Sequence, residues 1–136
     1  MLDVATVLPA PTEEVWRALV DLTVWPAWGP SIRRAELDGG GTVLGPGATG
    51  RVQTVAGLWL PFTVTAFEEG RRWAWKVGPV GATGHRVHDA GGGRTRAVFE
   101  VPLWAAPYAV VCRLALERLG AAAGAGDGRH QRGGGR

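Results

Sequence analysis

Apolar and polar residues alternate with a period of two through most of this chain, and the spacing lengthens to three and four only near its two ends. Trp73, Trp75 and Val77 interleave with Arg72, Ala74 and Lys76. Phe62, Val64 and Ala66 interleave with Thr63 and Thr65. Ala97, Phe99, Val101 and Leu103 share one parity of a later run, with Arg96, Val98 and Glu100 on the other. Such alternation predicts strands with one buried face, and here that face is large and aromatic. Strands are expected at about 3–8, 32–37, 50–55, 58–68, 72–77, 84–89 and 95–103. Pro9 ends the first of them. Glu68-Glu69-Gly70-Arg71 and Ala90-Gly91-Gly92-Gly93 supply hairpin connections, and Gly39-Gly40-Gly41 a flexible turn.

The longer period marks two helices. Pro11-Thr12-Glu13-Glu14 opens one over about 12–20, since proline suits a first turn and carboxylates there complement the helix dipole. Val15, Ala18, Leu19 and Leu22 form its core stripe. The second helix, over about 107–123, carries Tyr108, Val111, Cys112, Ala115, Leu119 and Ala122 on one face and Arg113 and Glu117 on the other. Gly120 weakens its far end, and Gly124 is read as its stop. Between first helix and first long strand, Trp25-Pro26-Ala27-Trp28-Gly29-Pro30 reads as a short helical turn and a bend. Hairpin-linked strands with segregated helices define an α+β fold built on one antiparallel sheet. That sheet is expected to wrap helix 107–123, with helix 12–20 and the Trp25 to Trp28 turn closing one end.

Composition narrows the setting. The chain has 136 residues, 46% hydrophobic and 20% charged, which suits one globular domain with a real core. No apolar run is long enough to span a bilayer, and the first residues lack a signal-peptide pattern, so a cytoplasmic location is expected. A single cysteine, Cys112, excludes an internal disulfide and a cysteine-rich zinc site, and its place on a helix face predicts a buried thiol. The high isoelectric point, about 10.0, invites a nucleic-acid reading. Three of the fifteen basic residues lie beyond Gly124, however, and the remainder of the chain holds twelve against eleven acids. Residues 124–136, rich in glycine and arginine, are expected to form a disordered tail after a ligand-binding domain of residues 1–123. A tail of this kind touches polyanions weakly, so no specific nucleic acid is expected as a partner.

In this order the elements resemble the START-like helix-grip superfamily, in particular its polyketide cyclase/dehydrase and lipid-transport (SRPBCC) group. The resemblance runs over 2–123. It rests on Val7-Leu8-Pro9-Ala10-Pro11 leading to Glu14-Val15-Trp16, and on Trp25-Pro26-Ala27-Trp28. Gly47 and Gly50 before a strand, Phe67-Glu68-Glu69-Gly70-Arg71-Arg72-Trp73, the hairpin from His85 to Thr95 and the closing helix complete it. The resemblance implies a curved antiparallel sheet gripping a long C-terminal helix around an elongated cavity, with two short helices after the first strand. It also implies binding of lipids, polyketides or other hydrophobic molecules, with only some members being enzymes.

Two tempting motifs fail on geometry. Gly45-Pro46-Gly47-Ala48-Thr49-Gly50 spells a dinucleotide fingerprint, but a strand follows it where a helix is needed to receive the pyrophosphate. His85 and His88 are three apart on a strand and point to opposite faces; Asp89 shares the face of His85 but lies about 13 Å along it. No metal and no cofactor are expected. The candidates for ligand contact are Trp28, Trp59, Phe62, Trp73, Trp75, His85, Phe99 and Tyr108, since indoles make good walls for flat apolar ligands. Trp73 and Trp75 on one face suggest space between sheet and helix, and Trp28 and Trp59, near turns, suggest a cavity mouth. Strand parity places His85 with Val87. Arg51 and Gln53 share a face, with no signal for which one.

Three functions stay open at this point. The leading one is a binder of a hydrophobic small molecule between sheet and closing helix. The others are a cyclase or dehydratase using His85 or Tyr108 as acid or base, and a protein-interaction module. Monomer and dimer are equally compatible with the sequence.

Overall fold

The computed structural model describes residues 2–78, 80–102 and 109–134. Seven strands, β1 (Leu2–Leu8), β2 (Ile32–Leu37), β3 (Thr49–Thr54), β4 (Trp59–Glu68), β5 (Arg72–Val77), β6 (Val80–Gly91) and β7 (Arg94–Val101), form one sheet. Its order is β1-β7-β6-β5-β4-β3-β2, antiparallel throughout. Helices α1 (Thr12–Val20) and α2 (Trp25–Trp28) follow β1, and α3 (Ala109–Gly134) closes the chain. The α+β architecture expected from the pattern is the one observed.

Local chemistry sets the boundaries. Pro11 stands extended as the N-cap of α1 with ψ of 151°, its carbonyl taking the amides of Glu14 and Val15. Glu13 and Glu14 then face the positive end of the helix. Gly91, Gly92 and Gly93, all with positive φ, let the chain reverse between β6 and β7. β6 begins four residues earlier than its alternation suggests, because small residues there weaken the pattern without breaking the ladder.

α3 corrects the sequence reading in two ways. It continues through Gly134, past the stop read at Gly124; in a propagating helix each glycine costs only about 1 kcal/mol, and no proline interrupts. Its buried side is Cys112, Ala115, Leu116, Leu119 and Ala123, so the stripe is rotated toward Leu116, while Val111 and Ala122 are half-buried. Gly120 fits the close approach of α3 to β1: a Cβ there would stand 2.9 Å from Leu8 Cδ2. The helix also packs on α1 and α2, so its apolar side meets the first strand and the two short helices together.

The opposite, convex face is closed by charge. Glu100 on β7 accepts Arg72 at 2.7 Å and Arg86 at 2.8 Å, and Arg86 reaches Asp3 on β1 at 2.9 Å. The two guanidinium groups hold the Glu100 carboxyl down to about 2. Gly84 leaves room for this cluster, since a Cβ there would lie 2.6 Å from Glu100 Oε1.

Candidate functional site

The interior site begins at α2. Its indoles, three residues apart in one helical turn, point the same way, and Trp25 Nε1 donates to the Leu19 carbonyl at 2.8 Å while Trp28 Nε1 donates to Ala18 at 2.9 Å. Both carbonyls belong to the last turn of α1, where no helix amide takes them. The two rings are thereby fixed over the concave face of the sheet. Trp25 stacks on Trp73 with centroids 5.5 Å apart and planes 10° apart, and meets Trp75 edge-on at 5.4 Å. Phe62 joins at 5.8 Å from Trp25 and 5.4 Å from Trp75. Trp28 stands edge-on to Phe99 at 5.7 Å and to His85 at 6.1 Å.

His85 is the polar centre of this wall. Its imidazole is 2% exposed, stacks on Trp73 at 4.0 Å and meets Phe99 edge-on at 4.8 Å. Burial pushes its pKa from 6.5 down to about 3, against weaker upward pulls from the Trp73 backbone and the Glu100 carboxylate. The ring is therefore neutral at pH 7. Thr83 Oγ1 lies 3.0 Å from His85 Nε2 and 3.3 Å from Trp75 Nε1. An indole N–H only donates, so Thr83 accepts from Trp75, and its hydroxyl keeps one proton and one further lone pair to serve either tautomer of His85. Nδ1 is buried without a hydrogen-bond partner of good geometry, and so is Trp73 Nε1 on the ring stacked against it. Trp73 Nε1–H is thus an unpaired donor in an aromatic interior, while the His85 ring is also drawn by the Trp73 backbone.

Six of the eight residues read as ligand contacts come together here: Trp28, Phe62, Trp73, Trp75, His85 and Phe99. Trp59 does not. It alternates with Leu60 and Phe62 and lies on the convex face, its ring 4.2 Å from the Arg51 guanidinium. Arg51 also donates to Glu36 at 2.8 Å, and Gln53 donates to the Gly57 carbonyl at 3.2 Å, which settles their face as the convex one. Tyr108, the other acid–base candidate, lies outside the described residues. Trp25 and Thr83 were missed. The Trp-Pro-Ala-Trp turn held a signal for the first, two indoles at helical spacing; nothing local marks the second.

Elsewhere the chemistry is plainer. His88 is exposed and accepts from Arg86 Nε at 3.2 Å, on the face opposite His85. Among the described residues no group of His, Cys, Asp and Glu converges as a metal site. The Cys112 thiol is buried, and its pKa is pushed up to about 11. An open groove of about 520 Å³ lies on the outside between α1 and the β4–β5 turn, edged by Glu13, Trp16, Arg17, Asp21, Val43 and Gly70.

A curved antiparallel sheet laid around a C-terminal helix, with an aromatic interior holding one neutral histidine, defines a helix-grip protein. The family model described as polyketide cyclase/dehydrase and lipid transport matches residues 2–133, and the chain belongs to that family. No curated protein matches it. Among solved structures, the di-domain ARO/CYC StfQ from the steffimycin biosynthetic pathway is similar with a TM-score of 0.75 at 16% identity, over 96% of this chain and 47% of that one. A hypothetical protein of Helicobacter pylori is similar at 0.69 and 17% identity, over 88% and 84% of the two chains. A protein of Nitrosomonas europaea follows at 0.66 and 19%, over 93% and 97%. At these identities the likeness is one of fold. Among the described residues no helix is long and apolar enough to cross a membrane.

Proposed function

We propose that this protein binds a hydrophobic small molecule (a lipid, a polyketide or an aromatic compound) between the concave sheet face and α3, in the cytoplasm. The observation that carries this reading is a buried, neutral His85 beside the unpaired donor Trp73 Nε1–H, within a wall of aromatic rings. Buried donors without partners are rare and cost about 1–3 kcal/mol each. A ligand carbonyl or hydroxyl oxygen that accepts from the Trp73 indole recovers that energy. The rings supply flat apolar contact, and the neutral imidazole adds no charge to be desolvated. Family membership supports the same class of ligand.

An apolar naphthalene sulfonate dye tests it. The native protein is expected to bind the dye and shift tryptophan emission, Trp75→Ala to weaken binding, and His85→Phe to lower affinity for an oxygen-bearing ligand while the fold persists. A native fold that takes up no apolar probe favours the interaction-module reading instead. The likeness to an ARO/CYC protein, together with the buried neutral imidazole, favours cyclisation as a second reading. A neutral imidazole donating to a developing oxyanion is sufficient electrostatic help for such a step, and Tyr108 stays a candidate for the proton transfer. Loss of turnover in His85→Phe with ligand affinity retained distinguishes this enzyme from the binder.

A further inference from the structure

One end of the fold is unusually apolar on its outside. Register places the starts of β1, β2, β4 and β6 and the ends of β3, β5 and β7 at this end, through the pairs Leu2 with Val101, Ile32 with Thr54, and Val77 with Val80. α3 begins there too, because its Gly120 lies on Leu8 at the far end of β1 and ten residues of helix rise about 15 Å back from it. Among the described residues the exposed large apolar side chains are concentrated here. Val55 and Leu58, on the β3–β4 turn, are 64% and 60% exposed, and Val110, in the first turn of α3, is 78% exposed. Leu114, one turn on, and Leu2 continue the set, leaving Val7 and Val43 toward the other end.

Basic residues gather beside this apolar end. Arg33, Arg34, Arg51, Lys76 and Arg113 are exposed at or beside the apolar end. The acids near it, Asp3 and Glu36, are each engaged by arginine, Asp3 by Arg86 and Glu36 by Arg51 and Arg34. The opposite end mixes signs, with Glu13, Asp38, Glu68, Glu69 and Asp89 exposed beside Arg17, Arg71, Arg94 and Arg96. Trp59, half-buried, stands between Arg51 at 4.2 Å and Arg34 at 6.0 Å, an amphipathic ring set among cations.

We propose that this end of the molecule seats on an anionic lipid surface. Aliphatic side chains standing singly on two separate elements penetrate the acyl boundary one by one, with no need for matching pits in a partner. The basic residues beside them are drawn to the negative headgroups, and indoles settle at that depth. The end of mixed charge faces away from the membrane. The proposal is independent of the interior ligand, since the surface is complete without one.

Flotation of the full-length chain with phosphatidylcholine vesicles, with and without phosphatidylglycerol, tests it. The wild type is expected to float with the anionic vesicles and to stay behind with the zwitterionic ones. Leu58→Asp and Val110→Asp, each at an exposed site that leaves the core intact, are expected to weaken that binding at least about tenfold. Val43→Asp, an exposed valine at the other end, is expected to bind as the wild type does. Three results overturn the proposal. One is no binding to anionic vesicles. Another is binding that both end substitutions leave unchanged, which assigns it to the basic residues beyond Gly124. The third is a dimer in light scattering that the two substitutions split, with no vesicle binding, which gives the face to a second copy.

Discussion

Replacing His85 with phenylalanine removes a titrating ring from the interior while keeping a ring of like size against Trp73 and Phe99. The folded chain holds His85 neutral down to about pH 3, whereas the ordinary value is 6.5. Below pH 6.5 the unfolded chain therefore binds a proton that the folded chain refuses. Its contribution to stability is fully present above 6.5 and is lost as the pH falls toward 3. Each pH unit in that window removes about 1.4 kcal/mol, so going from about pH 7 to 4.5 removes about 2–3 kcal/mol. Glu100, held down to about 2 from an ordinary 4.5, is lost only below this interval. Urea unfolding followed by tryptophan fluorescence at about pH 7, 5.5 and 4.5 gives the slope for wild type and variant. The wild type is expected to lose 2–3 kcal/mol more than His85→Phe over that range. Parallel pH dependences for the two proteins would show that His85 is not buried neutral.

Leu119→Ala, at a fully buried position of α3, is expected to cost about 2–5 kcal/mol in chemical denaturation. Gly84→Ala pushes a methyl into Glu100 Oε1 and is expected to lower stability by about 1–2 kcal/mol. That cost should vanish when Glu100→Ala is already present; an undiminished cost in the double mutant refutes the clash. Removing 125–136 is expected to leave the melting temperature nearly unchanged, because the segment has almost no apolar side chain to bury. A large drop on truncation shows that it docks.

The strand pattern made most of the fold legible, because a half-buried sheet writes its two faces into alternate residues. Parity with Val87 was enough to place His85 on the concave face. The same parity separates Trp59 from Phe62, and grouping them by ring size was the error. The stacking of Trp25 on Trp73 was illegible for a different reason. It joins residues 48 apart through a four-residue helix whose local signal says only that the chain bends. Glu100 reads as an outward charge, yet it is nearly buried, since the arginines that cover it come from other strands. Thr83 becomes meaningful only once Trp75 and His85 converge on its hydroxyl. Pairings of this kind are set by register across strands, which one-dimensional spacing does not carry. The β-bulge between Val64 and Ala66 shifts Phe67 into register with Trp73, a change that simple alternation also misses.

Native mass spectrometry of freshly purified protein tests the central claim most directly. The account predicts a population heavier than the bare chain by the mass of one small apolar molecule, released by organic extraction and absent from Trp75→Ala. A bare chain alone, with no adduct restored when apolar compounds are added back, would contradict it.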